Sequence, residues 1–182
     1  MKIAIGAAQG LAFLHNAEST TINRTFSASS VLLNENFEAT LYFGSASLVR
    51  THGVLPVVMS YAVTSRYAPP EYMTTRYSIA GQWYIESDIY AFGVMMLDMI
   101  SGSHFLHDYS CTSPHSLIEW VRPILTNKTE LQRIMDPWLE HGNPPKGASK
   151  AVELILSCLN DDPQNRPPME EVLASLERIK EI

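Results

Sequence analysis

The longest hydrophobic stretch of the chain predicts a helix that is buried on all sides. Between Ile89 and Ile100 only Gly93 and Asp98 are not apolar, whereas a helix on a protein surface carries a single apolar stripe. A dozen residues rise only about 18 Å in a helix, and a bilayer crossing needs roughly 20 apolar residues. We therefore expect a central core helix over residues 87–102 and no transmembrane segment.

Residues that favour helix termini lie at both ends of this stretch. Ser87 is a good N-cap, and Asp88 places a carboxylate near the positive end of the helix dipole. Gly102 can adopt the left-handed conformation that ends a helix. These residues predict the bounds of the helix.

Other segments show the spacing of amphipathic helices and of short strands. The predicted helices are Lys2–His15, Ala148–Asn160 and Met169–Ile179. Two short apolar runs, Val31–Leu33 and Thr40–Phe43, flank the turn signal Asn34-Glu35-Asn36 and predict a hairpin. The fold class that follows is mainly α, a helical bundle with a small β-hairpin.

Composition and charge exclude several classes of function. Of the 182 residues, 46% are hydrophobic and 18% are charged, an ordinary mixture for one globular domain. The net charge is −6 and no basic run is present, so we expect no binding to nucleic acid. Cys111 and Cys158 are too few for a disulfide framework, and the N-terminus lacks signal-peptide features. We therefore expect a cytoplasmic protein.

Four segments in a fixed order resemble the C-terminal lobe of a eukaryotic protein kinase. They are residues 22–44 (INRTFSASSVLLNENFEATLYFG), similar to the catalytic loop and Asp-Phe-Gly segment; 68–72 (APPEY), similar to the Ala-Pro-Glu element; 87–102, similar to the SDVYSFG helix; and 161–167 (DDPQNRP), similar to the D-P-x-x-R-P element. The stretches IAIGAAQGLAFLH, SLIEWVRPIL and LQRIMDPWLE further resemble plant receptor-like cytoplasmic kinases of the serine/threonine type.

The resemblance covers essentially the whole chain and implies a partial kinase domain, the large lobe with the N-lobe absent. The implied parts are a catalytic-loop region at 20–44, an activation segment at 44–72 and a helical subdomain at 73–182. Residues 59–67 are about three residues longer than the family pattern, and 78–86 carry an apparent insertion. We therefore expect substrate docking to differ from that of the family.

The positions that carry phosphoryl transfer in the family hold other residues here. Thr25 stands where the catalytic Asp belongs, Ser27 where the phosphate-contacting Lys belongs and Ser30 where the metal-binding Asn belongs, while Arg24 is retained. A threonine hydroxyl cannot act as a base at neutral pH, and losing a positioned general base costs about 10²–10⁴ in rate. We therefore expect a catalytically degenerate site.

The second catalytic segment is altered in the same way. Tyr42-Phe43-Gly44 stands for Asp-Phe-Gly after an apparent one-residue deletion, so a phenol replaces the carboxylate that holds Mg²⁺. ATP and Mg²⁺ are the cofactors of the family, but these substitutions do not support their binding. We expect neither a cofactor nor a bound metal.

By the same resemblance, three residues have structural roles. Glu71 and Arg166 are expected to form a buried ion pair that ties the activation segment to the C-terminal helices. Asp88 is expected to accept hydrogen bonds from the catalytic-loop backbone. Because removing one partner of a buried pair costs about 3–5 kcal/mol, the presence of both partners indicates a lobe that folds.

Two further groups of residues allow alternative interpretations. The hydroxyl residues Tyr61, Thr64, Ser65 and Tyr67 could be phosphorylated by another kinase, with Arg24 or Arg66 as charge partner, or could be ordinary loop residues. The cluster His104, His107, Cys111 and His115, with Asp108, could hold zinc or could be solvated loop residues.

Three hypotheses for function follow. The first is a pseudokinase lobe that binds protein partners, a kinase or a receptor, in the cytoplasm or through them at the plasma membrane; its apolar surface would lie near Leu11, Leu41 and Phe43. The second is an active serine/threonine kinase. The third is a truncated product without a selected function.

Overall fold

The computed structural model describes residues 1–16, 21–22, 26–42, 48–49, 66–71, 85–102, 117–136, 139 and 147–182, with only the backbone at 21–22 and 48–49. Six α-helices lie in these ranges: α1 (Lys2–Asn16), α2 (Ile85–Ser101), α3 (Leu117–Thr126), α4 (Lys128–Ile134), α5 (Ala148–Cys158) and α6 (Met169–Lys180). Four short strands lie there too: β1 (Thr21–Ile22), β2 (Val31–Leu33), β3 (Ala39–Leu41) and β4 (Leu48–Val49). The mainly helical fold is therefore confirmed.

The predicted helices α1, α5 and α6 are confirmed, each ending within two residues of its predicted end. Within the described ranges, no helix combines the length and apolar character that a bilayer crossing requires.

Helix α2 lies at the centre of the core, as its hydrophobic pattern predicts. Every residue from Ser87 to Leu97 is buried, and α1 and α5 pack against the helix. The helix ends at Ser101, and Gly102 follows with a φ of +73°, so the predicted left-handed stop is confirmed. A helix covered on several sides in this way organises the elements around it.

The predicted N-cap of α2 is wrong. The helix begins at Ile85, so Ser87 lies inside the first turn. Its hydroxyl donates instead to Glu71 Oε1, at 3.4 Å. The carboxylate Asp88 does lie in the first turn, where the helix dipole favours it.

Gly93 allows α2 and α5 to cross closely. A Cβ atom at this position would lie 2.8 Å from Cβ of Cys158 and 3.2 Å from Cδ2 of Leu159. The close crossing of α2 and α5 therefore requires a glycine, which has no Cβ atom, at position 93. Burial raises the pKa of the Cys158 thiol to about 12, so this cysteine is a neutral packing group at the contact.

The strands form two antiparallel pairs. β2 and β3 form the predicted hairpin, with Val31 opposite Leu41, and in its turn the Asn34 side chain accepts hydrogen bonds from the backbone N–H groups of Asn36 and Glu38. β1 pairs with β4, which was not predicted because two-residue strands are too short to show a period. The chain between β1 and β2 is the predicted catalytic loop.

Helix α1 supports the hairpin through two glycines on one face. A Cβ at Gly6 would lie 2.9 Å from Cβ and 3.1 Å from the carbonyl oxygen of Ala39, and a Cβ at Gly10 would lie 2.8 Å from Cδ1 of Leu41. Residues four apart share a helix face, and residues two apart share a strand face. The helix backbone therefore packs directly on one face of β3.

Arg166 links the predicted activation segment to the start of α2 and to the turn that follows α5. Its Nη1 and Nη2 each donate to one carboxylate oxygen of Glu71 at 2.8 Å, which confirms the predicted ion pair. The remaining donors bind backbone carbonyl oxygens of Glu86 at 2.9 Å, Asn160 at 2.7 Å and Asp161 at 3.5 Å. All five N–H groups of the buried guanidinium are therefore paired.

We expect Arg166→Lys to lower the free energy of unfolding by about 3 kcal/mol or more, because an ammonium cannot make the bidentate pair and leaves buried acceptors unpaired. Urea denaturation followed by circular dichroism measures this. Arg178→Lys is the matched control, since Arg178 is exposed and donates locally within α6; its expected change is within about 0.5 kcal/mol. Equal stability of the two variants would contradict the proposed role of Arg166.

We expect Gly6→Ala to destabilise the chain by about 1–3 kcal/mol, although alanine favours helices, because the new methyl group meets the Cβ and the carbonyl oxygen of Ala39, which cannot move without the strand. Gly10→Ala is expected to cost less, because it meets the movable end of the Leu41 side chain. Urea denaturation followed by circular dichroism compares the free energies of unfolding of the two variants. Gln9→Ala is the control, since Gln9 lies on the exposed face of α1. A stabilising Gly6→Ala would show that α1 and β3 are not in close contact.

Candidate catalytic site

The described part of the catalytic loop is held on the core by Phe26. This side chain is buried, and its ring centroid lies 6.1 Å from that of Phe92 in α2. The neighbouring Arg24 and Thr25, predicted as the retained and the replaced catalytic residues, lie outside the described residues. The structure therefore describes the predicted catalytic loop only from Phe26 onward, and Phe26 anchors that part on α2.

Ser27 and Ser30 lie in a tight turn between Phe26 and β2. Residues Ala28–Ser30 form one 3₁₀ turn, closed by a hydrogen bond from the Ser30 N–H to the Ser27 carbonyl at 2.9 Å. The Ser27 and Ser29 hydroxyls lie 2.7 Å apart. Ser27 therefore places a short, uncharged side chain at the position predicted for a lysine, and Ser30 places one at the position predicted for a metal-binding asparagine.

Tyr42 lies beside Ser30 across the open end of the hairpin. Its backbone N–H donates to the Ser30 carbonyl at 2.8 Å, so the structure brings these two predicted positions together. The Tyr42 side chain is 60% exposed. Its phenol therefore extends into solvent next to the catalytic-loop turn.

The described catalytic turn and the adjoining strands carry no charged side chain. Residues 26–33 and 39–42 read FSASSVLL and ATLY. Mg²⁺ is held mainly by carboxylate and phosphate oxygens, and over the described ranges no group of acidic, histidine or cysteine residues could hold a metal.

The predicted zinc cluster at His104, His107, Cys111 and His115 lies outside those ranges.

Asp88 is buried in the first turn of α2 and is in contact with His15 of α1. The His15 Nε2 lies 3.1 Å from Asp88 Oδ2, and both side chains are buried. In the part of the chain that the structure describes, His15 Nδ1 has no hydrogen-bond partner. The expected bonds from the loop backbone to Asp88 stay a prediction, and His15 was not predicted as its partner.

Tyr67 connects the activation segment to the loop and to α2. Its hydroxyl donates to Asp98 Oδ2 at 2.8 Å and accepts from the Ala28 N–H at 3.4 Å, while Arg66 Nη1 lies 3.7 Å from Asp98 Oδ1. Burial, followed by the bond to Asp98, raises the pKa of Tyr67 to about 12. The hydroxyl is therefore protonated at neutral pH and holds three segments together.

The sequence contained a signal for this contact. Asp98 is the only carboxylate in an otherwise apolar run, and a buried carboxylate requires a partner. Tyr67 was instead considered as a phosphorylation site. The other candidates for phosphorylation, Tyr61, Thr64 and Ser65, lie outside the described residues.

Leu11 and Leu41, near which the sequence predicts an exposed apolar patch, do not themselves contribute to such a patch. Both side chains are buried, because α1 packs against β3 and the core; Phe43 lies outside the described residues. Four exposed apolar side chains lie on the hairpin or directly after it, and Phe13 of α1 is also exposed. The four are Leu32, Leu33, Phe37 and Tyr42, here called the hairpin surface.

Comparison with known proteins is consistent with this arrangement. The protein kinase domain family matches residues 1–176. "Probable serine/threonine-protein kinase PBL2" of Arabidopsis thaliana is 42% identical over 183 residues, covering 100% of this chain and 42% of that protein. "Receptor-like cytoplasmic kinase 176" of Oryza sativa subsp. japonica is 41% identical over 182 residues, covering 100% of this chain and 45% of that protein.

The chain thus spans less than half the length of these curated relatives. Its match to the family nevertheless extends over almost every residue, and the hairpin, the central helix and the Glu71–Arg166 pair occur where the family motifs predicted them. The chain belongs to the protein kinase domain family, and its relatives are plant receptor-like cytoplasmic serine/threonine kinases.

Proposed function

We propose that this chain is a pseudokinase domain that binds a kinase or receptor in cytoplasmic signalling and transfers no phosphate. One contrast carries the proposal: the described catalytic positions lack the groups that phosphoryl transfer needs, whereas the contacts that hold the lobe together are retained. The family match supports a kinase-type fold for this chain. The residue types at the predicted catalytic positions support the loss of phosphoryl transfer.

Phosphoryl transfer depends on positioning and on charge neutralisation by metal ions. Ser30 and Tyr42 offer a hydroxyl and a phenol beside the loop, and neither is a Mg²⁺ ligand comparable to a carboxylate. Thr25 offers no base at neutral pH. We therefore propose that the chain uses neither ATP nor Mg²⁺.

The long-range polar contacts support a protein that is selected to fold. The Arg166–Glu71 pair, the His15–Asp88 contact and the Tyr67–Asp98 hydrogen bond each join segments more than 30 residues apart. Buried polar groups are costly when one partner is lost. Their presence favours a protein whose structure is used over a product without a selected function.

The hairpin surface is the candidate docking face. Leu32 is 53%, Phe37 65% and Tyr42 60% exposed, and Phe37 adopts a φ of 57°, an uncommon conformation for a bulky residue. Apolar clusters of this kind mark interaction sites. We propose that a protein partner covers this surface.

An active serine/threonine kinase is the second candidate. The identity of 42% to a relative that is named as a kinase favours it. It requires metal ligands from residues outside the described ranges or outside this chain.

Saturating Mg-ATP is expected to leave the midpoint of thermal unfolding unchanged, because the proposed site has no metal ligands. A ligand at 100 times its dissociation constant would stabilise the chain by about 2.7 kcal/mol and raise the midpoint by about 5–10 °C. Circular dichroism with and without Mg-ATP measures this shift.

The matched variant restores the family residues, Thr25→Asp with Ser30→Asn and Tyr42→Asp. A shift in this variant alone would assign the loss of binding to these positions. A shift in the unaltered chain, together with Mg²⁺-dependent transfer of phosphate to a serine peptide, would establish the kinase candidate and contradict our proposal.

Replacing Leu32 and Phe37 with serine is expected to abolish capture of the partner while the fold is retained, because both side chains are exposed. Quantitative mass spectrometry of proteins bound from plant extract measures this, and we expect the protein lost to contain a kinase domain.

Leu139→Ser is the control, since Leu139 is similarly exposed but lies at another site. Equal loss of capture in the control, or no loss in the double variant, would rule out the hairpin surface as the docking face.

A further inference from the structure

A polar groove lies on the surface between the last two helices of the chain. Its volume is about 620 Å³, within the range of ligand-binding clefts. One wall is α5 and the other is α6, and residues 164–168, in the turn that joins the two helices, line one end. The hairpin surface and the predicted catalytic loop contribute no residue to the lining. The groove is therefore separate from the site described above.

The two walls run in opposite directions. A Cβ atom at Gly147, directly before α5, would lie 2.8 Å from Cγ2 of Ile179 near the end of α6. The start of α5 therefore lies beside the end of α6. Since Lys150 lies in the first turn of α5 and Arg178 in the last turn of α6, both cations lie toward the same end of the groove.

Two carboxylates follow these cations along the groove. On α5, Glu153 lies three residues beyond Lys150, about 4.5 Å along the helix axis. On α6, Glu171 lies seven residues from Arg178, about 10.5 Å along the axis, and residues at these spacings share a helix face. The groove therefore has a basic end and then an acidic section, each with one charged residue on either wall.

These charges are available to a ligand. All four side chains are exposed, and within the described part of the chain those of Lys150, Glu153 and Glu171 form no ion pair or side-chain hydrogen bond. Arg178 donates only to the Ala174 carbonyl at 3.2 Å and to the Ser175 hydroxyl at 3.1 Å, both in its own helix.

The charges of the lining cancel, which decides the class of ligand. Two cations face two carboxylates, and the further cation in the lining, Arg166, is already paired with Glu71. A nucleotide or a nucleic acid would therefore meet as many repelling as attracting charges. Opposite charges in separate sections favour a ligand that carries one charge of each sign. The buried side chains of Leu154 and Ile179 also line the groove and offer apolar contact to the stem of a long basic side chain.

We infer that the groove binds an extended segment of a partner protein that carries one acidic and one basic side chain with a single residue between them. In an extended chain, side chains two residues apart point to the same face and are about 6.6 Å apart. This distance lies between the separations of about 4.5 Å and 10.5 Å along the two walls. The acidic side chain then lies between Lys150 and Arg178, and the basic one lies between Glu153 and Glu171.

The test measures binding of short capped peptides to the unaltered chain by calorimetry at low ionic strength. The peptides consist of alanine and threonine and carry one glutamate and one arginine with no, one or two residues between them. We expect the peptide with one intervening residue to bind about fivefold more tightly than the other two, because only its two charges share a face. Its affinity is expected to fall as salt is added, and a peptide with glutamine at both charged positions is expected not to bind.

Paired substitutions test the position of the peptide. Lys150→Gln with Arg178→Gln is expected to weaken binding about tenfold, since each exposed ion pair contributes up to about fivefold. The matched control is Lys128→Gln with Arg133→Gln, which changes the net charge equally at exposed positions of α4 outside the groove. It is expected to leave the affinity unchanged, and circular dichroism verifies that both variants fold.

A double-mutant cycle tests the acidic section. Glu153→Gln with Glu171→Gln in the protein and arginine to glutamine in the peptide are expected to cost no more together than either costs alone, because both remove the same contact. Leu32→Ser on the hairpin surface is expected to leave peptide binding unchanged, so the groove and the proposed docking face are tested independently. Absence of saturable binding, equal binding at all spacings, or binding that survives the Lys150 and Arg178 substitutions overturns the inference.

Discussion

The structure depends first on the Arg166 guanidinium, which is buried without exposed surface and yet fully paired. An isolated buried charge would cost more free energy than the whole domain gains on folding. Its compensation requires Glu71 from the activation segment and backbone carbonyls from the start of α2 and from the turns before α6 to meet at one point. The Tyr90 ring lies against the same cation, 5.0 Å from its centre. One charge therefore fixes the relative positions of three segments that are distant in sequence.

The catalytic-loop region is positioned by contacts of a different kind. At Gly6 and Gly10 the backbone of α1 packs directly against β3 of the hairpin. Phe26 packs on α2, and the Tyr67 hydroxyl joins the loop to the predicted activation segment. None of these contacts involves a catalytic group. The position of this region therefore does not depend on catalytic residues, which is why family membership alone does not decide between the two candidate functions.

Local patterns predicted most of the fold and part of the site. The continuous apolar run of α2, the turn at Asn34 and the motif residues Glu71 and Arg166 were recognisable because each follows from spacing or from a family motif. The contacts of Tyr67 with Asp98 and of His15 with Asp88 join residues 31 and 73 positions apart, and no periodicity records such distances. Ser87 was misplaced because a good capping residue can equally serve inside a first turn. The burial of Leu11 and Leu41 could not be predicted because it depends on the close approach of two elements, α1 and β3.

The shared hydroxyl of Tyr67 has a consequence for modification of the activation segment. Since the oxygen is bonded to Asp98 and to the Ala28 N–H, phosphorylation of the hydroxyl would break both hydrogen bonds. A phosphate on this oxygen would carry about two negative charges and would repel the Asp98 carboxylate. The contact of Tyr67 with α2 and with the loop thus requires an unmodified hydroxyl.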